Sequence, residues 1–343
     1  MFNYMSKLMF LSTLMIGSII SISSPSWFGM WMGLEINLLS FIPLMIDSKN
    51  MISNESAIKY FITQALASIV FLFGSLIYFM KTGILSNFFF ENNYSSLIIA
   101  SMMIKLGAAP FHFWFPEVIE GLSWFNSFLL LTWQKITPLM VIFYNYLNTS
   151  IVIFILLSAL AGSLGGLNQS SLRKILAFSS INHISWLMMA ICLSNLMWLF
   201  YFFIYLLMNL SIITMFKILN IFNFNQFFMN LNWSPIVKFC FLINLLSLGG
   251  LPPFLGFFPK WLIIELSIIN SNYFLILFLL MMTLITLFFY LRLSFSGFML
   301  NFPSKNKKSN LSIKSFYMNI NLLFNLIMMI CLFNVLIFSY YLM

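Results

Sequence analysis

Charged side chains are scarce: Asp, Glu, Lys and Arg together make up 7% of the 343 residues. A soluble domain carries roughly 25%, so this chain lacks the means to cover a water-facing surface. That excludes a soluble enzyme or a nucleic-acid binder. Cysteine is scarce too. Cys192, Cys240 and Cys331 lie far apart in apolar runs, with no CxxC and no Cys/His cluster. No iron–sulfur cluster or zinc site is therefore expected in this chain, and the thiols read as small packing residues. Period-2 alternation is missing, which argues against barrel strands. No small-residue cleavage site follows the first apolar run, so no cleavable targeting signal is expected.

What is present is apolar length. Hydrophobic residues make up 62% of the chain, in runs of about 15 to 25 residues, the length of a membrane-spanning helix. In lipid the backbone must satisfy its own hydrogen bonds, so helices are the fitting element. Eleven runs are predicted, near 8–22, 26–46, 56–80, 96–120, 123–145, 150–168, 175–194, 196–220, 238–270, 273–298 and 317–342. The expected fold is a single all-α polytopic membrane domain over residues 1–343. Two runs are interrupted, one by Gly107-Ala108-Ala109-Pro110 and one by Gly249-Gly250-Leu251-Pro252-Pro253. Proline removes an amide donor and glycine loosens the turn, so both segments should be broken helices. Paired broken helices point to an ion path in transporters.

The basic residues set the topology. With the N-terminus inside, Lys7, Lys49, Lys59, Arg173, Lys174, Lys217, Lys238, Arg292, Lys305, Lys307, Lys308 and Lys314 fall on the inner side, and only Lys81 on the outer. The C-terminus is then outside. The Lys305–Lys314 stretch reads as an inner loop beside lipid headgroups or a neighbouring subunit. The net charge of +9 is thus a matter of loop topology.

Three of the sixteen basic residues remain, Lys105, Lys135 and Lys260, and each sits inside an apolar run, as does Glu35. A charge at mid-bilayer costs about 2.5–3.5 kcal/mol on insertion scales. Glu35 and Lys135 are roughly 15 Å from either end of their runs, too far to snorkel. Desolvation disfavours the charged form and a nearby opposite charge favours it, so a lysine held between the two can release and regain a proton near neutral pH. That is what a proton relay requires; structural ion pairing is the competing explanation. His183, mid-run, and His112, after the first break, could shuttle protons or simply pack. Asn209, Ser211, Asn244 and Ser247 read as interhelical hydrogen-bond partners. Glu265 could be an exit group or a solvated one, and Glu117 and Glu120 read as solvated.

The segments Met32–Asn37 (MGLEIN), Lys105–Trp114 (KLGAAPFHFW), Trp133–Lys135 (WQK), Ser171–His183 (SLRKILAFSSINH) and Gly249–Phe254 (GGLPPF) closely resemble the antiporter-like membrane subunits of respiratory complex I. The likeness runs in order over nearly the whole chain, toward a mitochondrially encoded animal form. The bias toward Phe, Ile, Met and Asn fits an AT-rich organelle genome. The resemblance implies a fourteen-helix fold of two inverted five-helix repeats, each with a broken helix, from which the animal form lacks the first three helices. It implies a proton relay of Glu35 with Lys105, then Lys135, then Lys260, with His183 beside it. It implies a place in the mitochondrial inner membrane, N-terminus on the matrix side, against adjacent membrane-arm subunits. It implies that FMN, iron–sulfur clusters and ubiquinone serve the complex in other subunits and that this chain binds none. Two rivals remain open: a stand-alone Mrp-like cation/proton antiporter and a non-conducting membrane scaffold.

Overall fold

The computed structural model describes residues 2–47, 50–82, 92–145, 150–194, 196–223, 226, 235–252 and 254–299. Among these there is no strand, only an isolated bridge between Ser171 and Asn223. Helices carry the rest: α1 Phe2–Ser23, α2 Trp27–Met45, α3 Met51–Thr82, α4 Asn92–Leu106, α5 Trp114–Gly121, α6 Trp124–Leu131, α7 Trp133–Tyr144, α8 Ser150–Gly165, α9 Leu172–Leu193, α10 Met197–Leu219, α11 Pro235–Gly249, α12 Phe257–Ile269 and α13 Tyr273–Met299. Seven spans among the described residues are long and apolar enough to cross a membrane. Shorter apolar helices lie at Ser96–Leu106, Ser150–Gly165 and Phe239–Gly249. Ten of the eleven predicted runs coincide with these helices. The eleventh, with Lys49, Pro253, Cys331 and the Lys305–Lys314 stretch, lies outside the described residues.

The chain divides into two units, Met1–Ala161 and Gly162–Met343. In the first, α1 packs along α2, α2 along α3, α3 against α4 and α5, and α7 against α4 and α6. In the second, α9 packs against α10, α12 and α13, while α11 lies against α10 and α13.

Both anticipated breaks are present. The first unwinds between α4 and α5, with Gly107 at φ 70° and a cis Ala109–Pro110 peptide. An interrupted helix leaves carbonyls without their usual amide partners. Here side chains replace them: Trp114 Nε1 donates to Ile104 O at 3.1 Å, and Gln64 Nε2 donates to Lys105 O at 3.3 Å. The second break separates α11 from α12, with Gly250 at φ 81°. Lys260 Nζ donates to Gly249 O at 3.0 Å, closing the end of α11. Gly256 packs directly onto the Ser247 carbonyl, where a Cβ would not fit.

A third interruption was not anticipated. The run 123–145 divides at Thr132 into α6 and α7, and Gln134 and Lys135 follow two and three residues later. The Thr132 hydroxyl donates back to Phe128 O at 2.7 Å, and Lys135 N bonds to Thr132 O, three residues back, at 3.2 Å. Pro138, inside α7, lacks the amide that would pair with the Gln134 carbonyl. The lysine of this run therefore sits in a locally irregular stretch rather than in a straight helix.

Candidate functional site

In the first unit, Lys105 occupies the last turn of α4, immediately before the break. A helix C-terminus carries partial negative charge, to which an ammonium is attracted. Lys135 stands in the first turn of α7 at 1% exposure. Its Nζ lies 5.5 Å from the centroid of the Phe115 ring, a cation–π separation. Phe115 belongs to α5, so the first break brings the two lysine neighbourhoods together. One cavity of about 20 Å³ is lined by both Lys105 and Lys135, together with Asn37, Tyr60, Gln64 and Gln134. A buried water needs about 10–15 Å³ of such space and two or more polar partners. The cavity meets both requirements.

Glu35 lies on α2, half-buried, close enough for its charge to act on Lys105. It does not form a direct ion pair: the pair within 4 Å among the described residues is Lys59–Glu117, at 2.6 Å with both side chains more than half exposed. Glu35 Oε2 is buried and has no hydrogen-bond partner. Lys59, read from the sequence as an inner-loop cation, lies in α3 and ties it to Glu117 on α5. Glu117 is exposed, as its position near the end of the run implied, and Glu120 and His112 are half-buried.

In the second unit, α9 is buried over 94% of its apolar window. His183 on this helix shares a 2.8 Å hydrogen bond with the Tyr201 hydroxyl through Nδ1, and its ring lies 5.0 Å from that of Tyr205. Tyr205 also reaches Asn209 and Ser180. Lys260 stands buried in the first turn of α12, with Nζ 5.9 Å from the Trp186 ring. Trp186 is three residues from His183, a spacing that places them on one face of α9. Glu265 is half-buried on α12.

The polar residues expected to join helices behave differently. Ser211 and Ser247 donate within their own helices, to Met208 O and Asn244 O. A serine in a helix can reach the carbonyl three or four residues back, and here that satisfies it without a neighbour. Asn209 Nδ2 and both polar atoms of the Asn244 side chain are buried without partners. These atoms therefore bridge no helices.

Sequence reasoning missed the roles of Gln64 and Trp114, which cap the broken helix, and of Asn37, Gln134 and Tyr60, which line the cavity. The available signal was the cost of burying an amide in an apolar run, which is weaker than that of a charge.

Comparison with known proteins agrees with this geometry. Residues 24–286 match the family model described as NADH:quinone oxidoreductase/Mrp antiporter, TM. A relative from Anopheles gambiae named NADH-ubiquinone oxidoreductase chain 2 is 49% identical over 324 residues, 94% of each chain. One of the same name from Aedes aegypti is 50% identical over 319 residues, 92% of each chain. Among solved structures, a chain of Thermus thermophilus respiratory complex I with bound aureothin superposes with a TM-score of 0.84 at 22% identity. That match covers 95% of this chain and 78% of the other. With the family match spanning most of the chain and close relatives aligned along nearly its full length, this protein belongs to the NADH:quinone oxidoreductase/Mrp antiporter family of transmembrane subunits.

Proposed function

We propose that Glu35, Lys105, Lys135, His183 and Lys260 form the proton relay by which this chain, a core membrane-arm subunit of respiratory complex I, translocates protons. The chain is part of an NADH:quinone oxidoreductase, multi-pass in the mitochondrial inner membrane, with other complex I subunits as its partners. The observation that carries the relay is the cavity shared by Lys105 and Lys135. Two lysines that line one water-sized space can exchange a proton through a single intermediate, whereas two in separate dry pockets cannot.

In this mechanism a change of charge near Glu35 alters the proton affinity of Lys105. Lys105 and Lys135 then exchange a proton, and the shift passes on to His183 and Lys260. Outward movement works against about 2.3 kcal/mol per charge per 100 mV. The energy comes from NADH oxidation and ubiquinone reduction, with FMN and the iron–sulfur clusters, in other subunits; this chain supplies the translocase step. The matrix-side N-terminus follows from the distribution of basic residues. Adjacent membrane-arm subunits are the neighbours that would set the charge at Glu35.

The test is Lys135→Met in the assembled complex, reconstituted in sealed vesicles. Methionine keeps the length of the side chain and removes its proton-carrying group. NADH oxidation should be slowed and proton movement per NADH should fall. Full stoichiometry in an assembled variant would refute the relay.

A further inference from the structure

The cavity lined by Lys105 and Lys135 has a wall whose chemistry neither lysine accounts for. Asn37 lines it at 2% exposure. Its Oδ1 accepts a 2.8 Å hydrogen bond from Gln134 Nε2. With Oδ1 engaged, the amide presents Nδ2 as a donor, and Nδ2 is buried without any hydrogen-bond partner. A buried donor left unmade is costly, and the space beside it accommodates one water. Backbone packing fixes the position of Asn37: a Cβ on Gly17 of α1 would lie 3.0 Å from the Asn37 amide nitrogen, so the two helices touch at this level. Gln134 itself stands in the first turn of α7.

Resting on the relay reading above, we propose that Asn37, oriented by Gln134, is a positioning residue that fixes the water through which Lys105 and Lys135 exchange a proton. One lone pair of the water oxygen accepts the Asn37 N–H. The other takes a proton as an N–H bond of the donor ammonium breaks. One original O–H bond of the water breaks in the same event, and that proton joins the neutral amine of the other lysine. Atoms and charge balance, and the water is regenerated. An oxygen that already accepts from Asn37 is a poor seat for a lasting positive charge, so the two transfers occur together. The carboxamide carries no proton itself.

The experiment uses the assembled complex in sealed vesicles, with Asn37→Leu, Asn37→Ser and Lys135→Met side by side. Leucine has a similar size and no donor; serine keeps a donor. Asn37→Leu should pump about tenfold more slowly, the effect of one lost buried hydrogen bond. Its solvent deuterium isotope effect should rise, because proton transfer becomes limiting. Asn37→Ser should recover much of the rate and the smaller isotope effect. Full pumping by Asn37→Leu beside a defective Lys135→Met overturns the role of Asn37 and leaves the relay standing. Full pumping by Lys135→Met removes the relay and this inference with it. Equal losses in the leucine and serine variants mean a packing role and overturn the inference. A density map of the unsubstituted complex decides the matter even where a variant fails to assemble. An ordered water within hydrogen-bond reach of Asn37 Nδ2 supports the proposal; a dry cavity, or a protein group on Nδ2, overturns it.

Discussion

Lys105 and Lys260 both serve the C-terminal end of a half-helix that stops before a glycine with positive φ: Lys105 stands in the last turn of α4, and Lys260, from the first turn of α12, brings its Nζ to the end of α11. For Lys260 the arrangement is tight. A Cβ on Gly250 would lie 2.7 Å from Lys260 Nζ, whereas one on the adjacent Gly249 would meet nothing nearer than 3.7 Å. The left-handed conformation of Gly250 adds a penalty of about 1–2 kcal/mol for any other residue. Gly250→Ala should therefore displace the Lys260 head and lower both proton pumping and the melting temperature of the complex. Gly249→Ala should leave both close to normal. Parallel thermal-shift and pumping measurements on the two variants check this. The lysines themselves were legible in the sequence, because a charge inside an apolar run is an anomaly that hydropathy cannot hide. Their partners were not. That Lys260 closes on Gly249 O, or that Phe115 lies under Lys135, depends on how the chain returns after each break.

At the scale of elements, α1 and α2 meet through small residues. A Cβ on Gly33 would lie 2.5 Å from the Ser21 backbone nitrogen and 2.8 Å from Gly17 O. Helices in lipid gain little from apolar burial against each other and rely on such close backbone approach. Gly33→Leu should separate α1 from α2 and carry Glu35 and Asn37 with it; the amount of assembled complex on a native gel should fall sharply. The Lys59–Glu117 pair joins α3 to α5 but stands more than half exposed on both sides. Exposed pairs contribute little and are screened by salt. Glu117→Gln should leave assembly unchanged, with at most a small loss in thermal stability that disappears at high ionic strength. The two anticipated breaks were readable because Gly and Pro act on the backbone locally, wherever they occur. The division at Thr132 was not: a threonine in a helix can bond back to its own turn without breaking it, and Pro138 alone marks a kink rather than a new helix start.

For the whole molecule, composition settles the solvent, and the basic residues are the basis of the proposed sidedness. In a background lacking the native cysteines, Lys7→Cys should react with a membrane-impermeant thiol reagent only from the matrix side. Asn270→Cys, in the turn between α12 and α13, should react only from the opposite side. Labelling of mitoplasts against inside-out vesicles reads the result, and a reversed pattern would invert the proposed orientation.

The sequence by itself determined that the chain is helical and membrane-embedded, where two of its helices break, and that Lys105, Lys135 and Lys260 are buried. Those properties follow from local chemistry: the cost of an unpaired backbone group or a bare charge in lipid is the same wherever the chain goes next. Tertiary structure alone decided that Glu35 stands apart from Lys105 without a direct ion pair, that His183 meets Tyr201, and that Lys105 and Lys135 share a cavity with Asn37 and Gln134. Residues 97 positions apart, such as Asn37 and Gln134, meet only once the packing of α2 and α7 is fixed, and no local pattern encodes such a meeting.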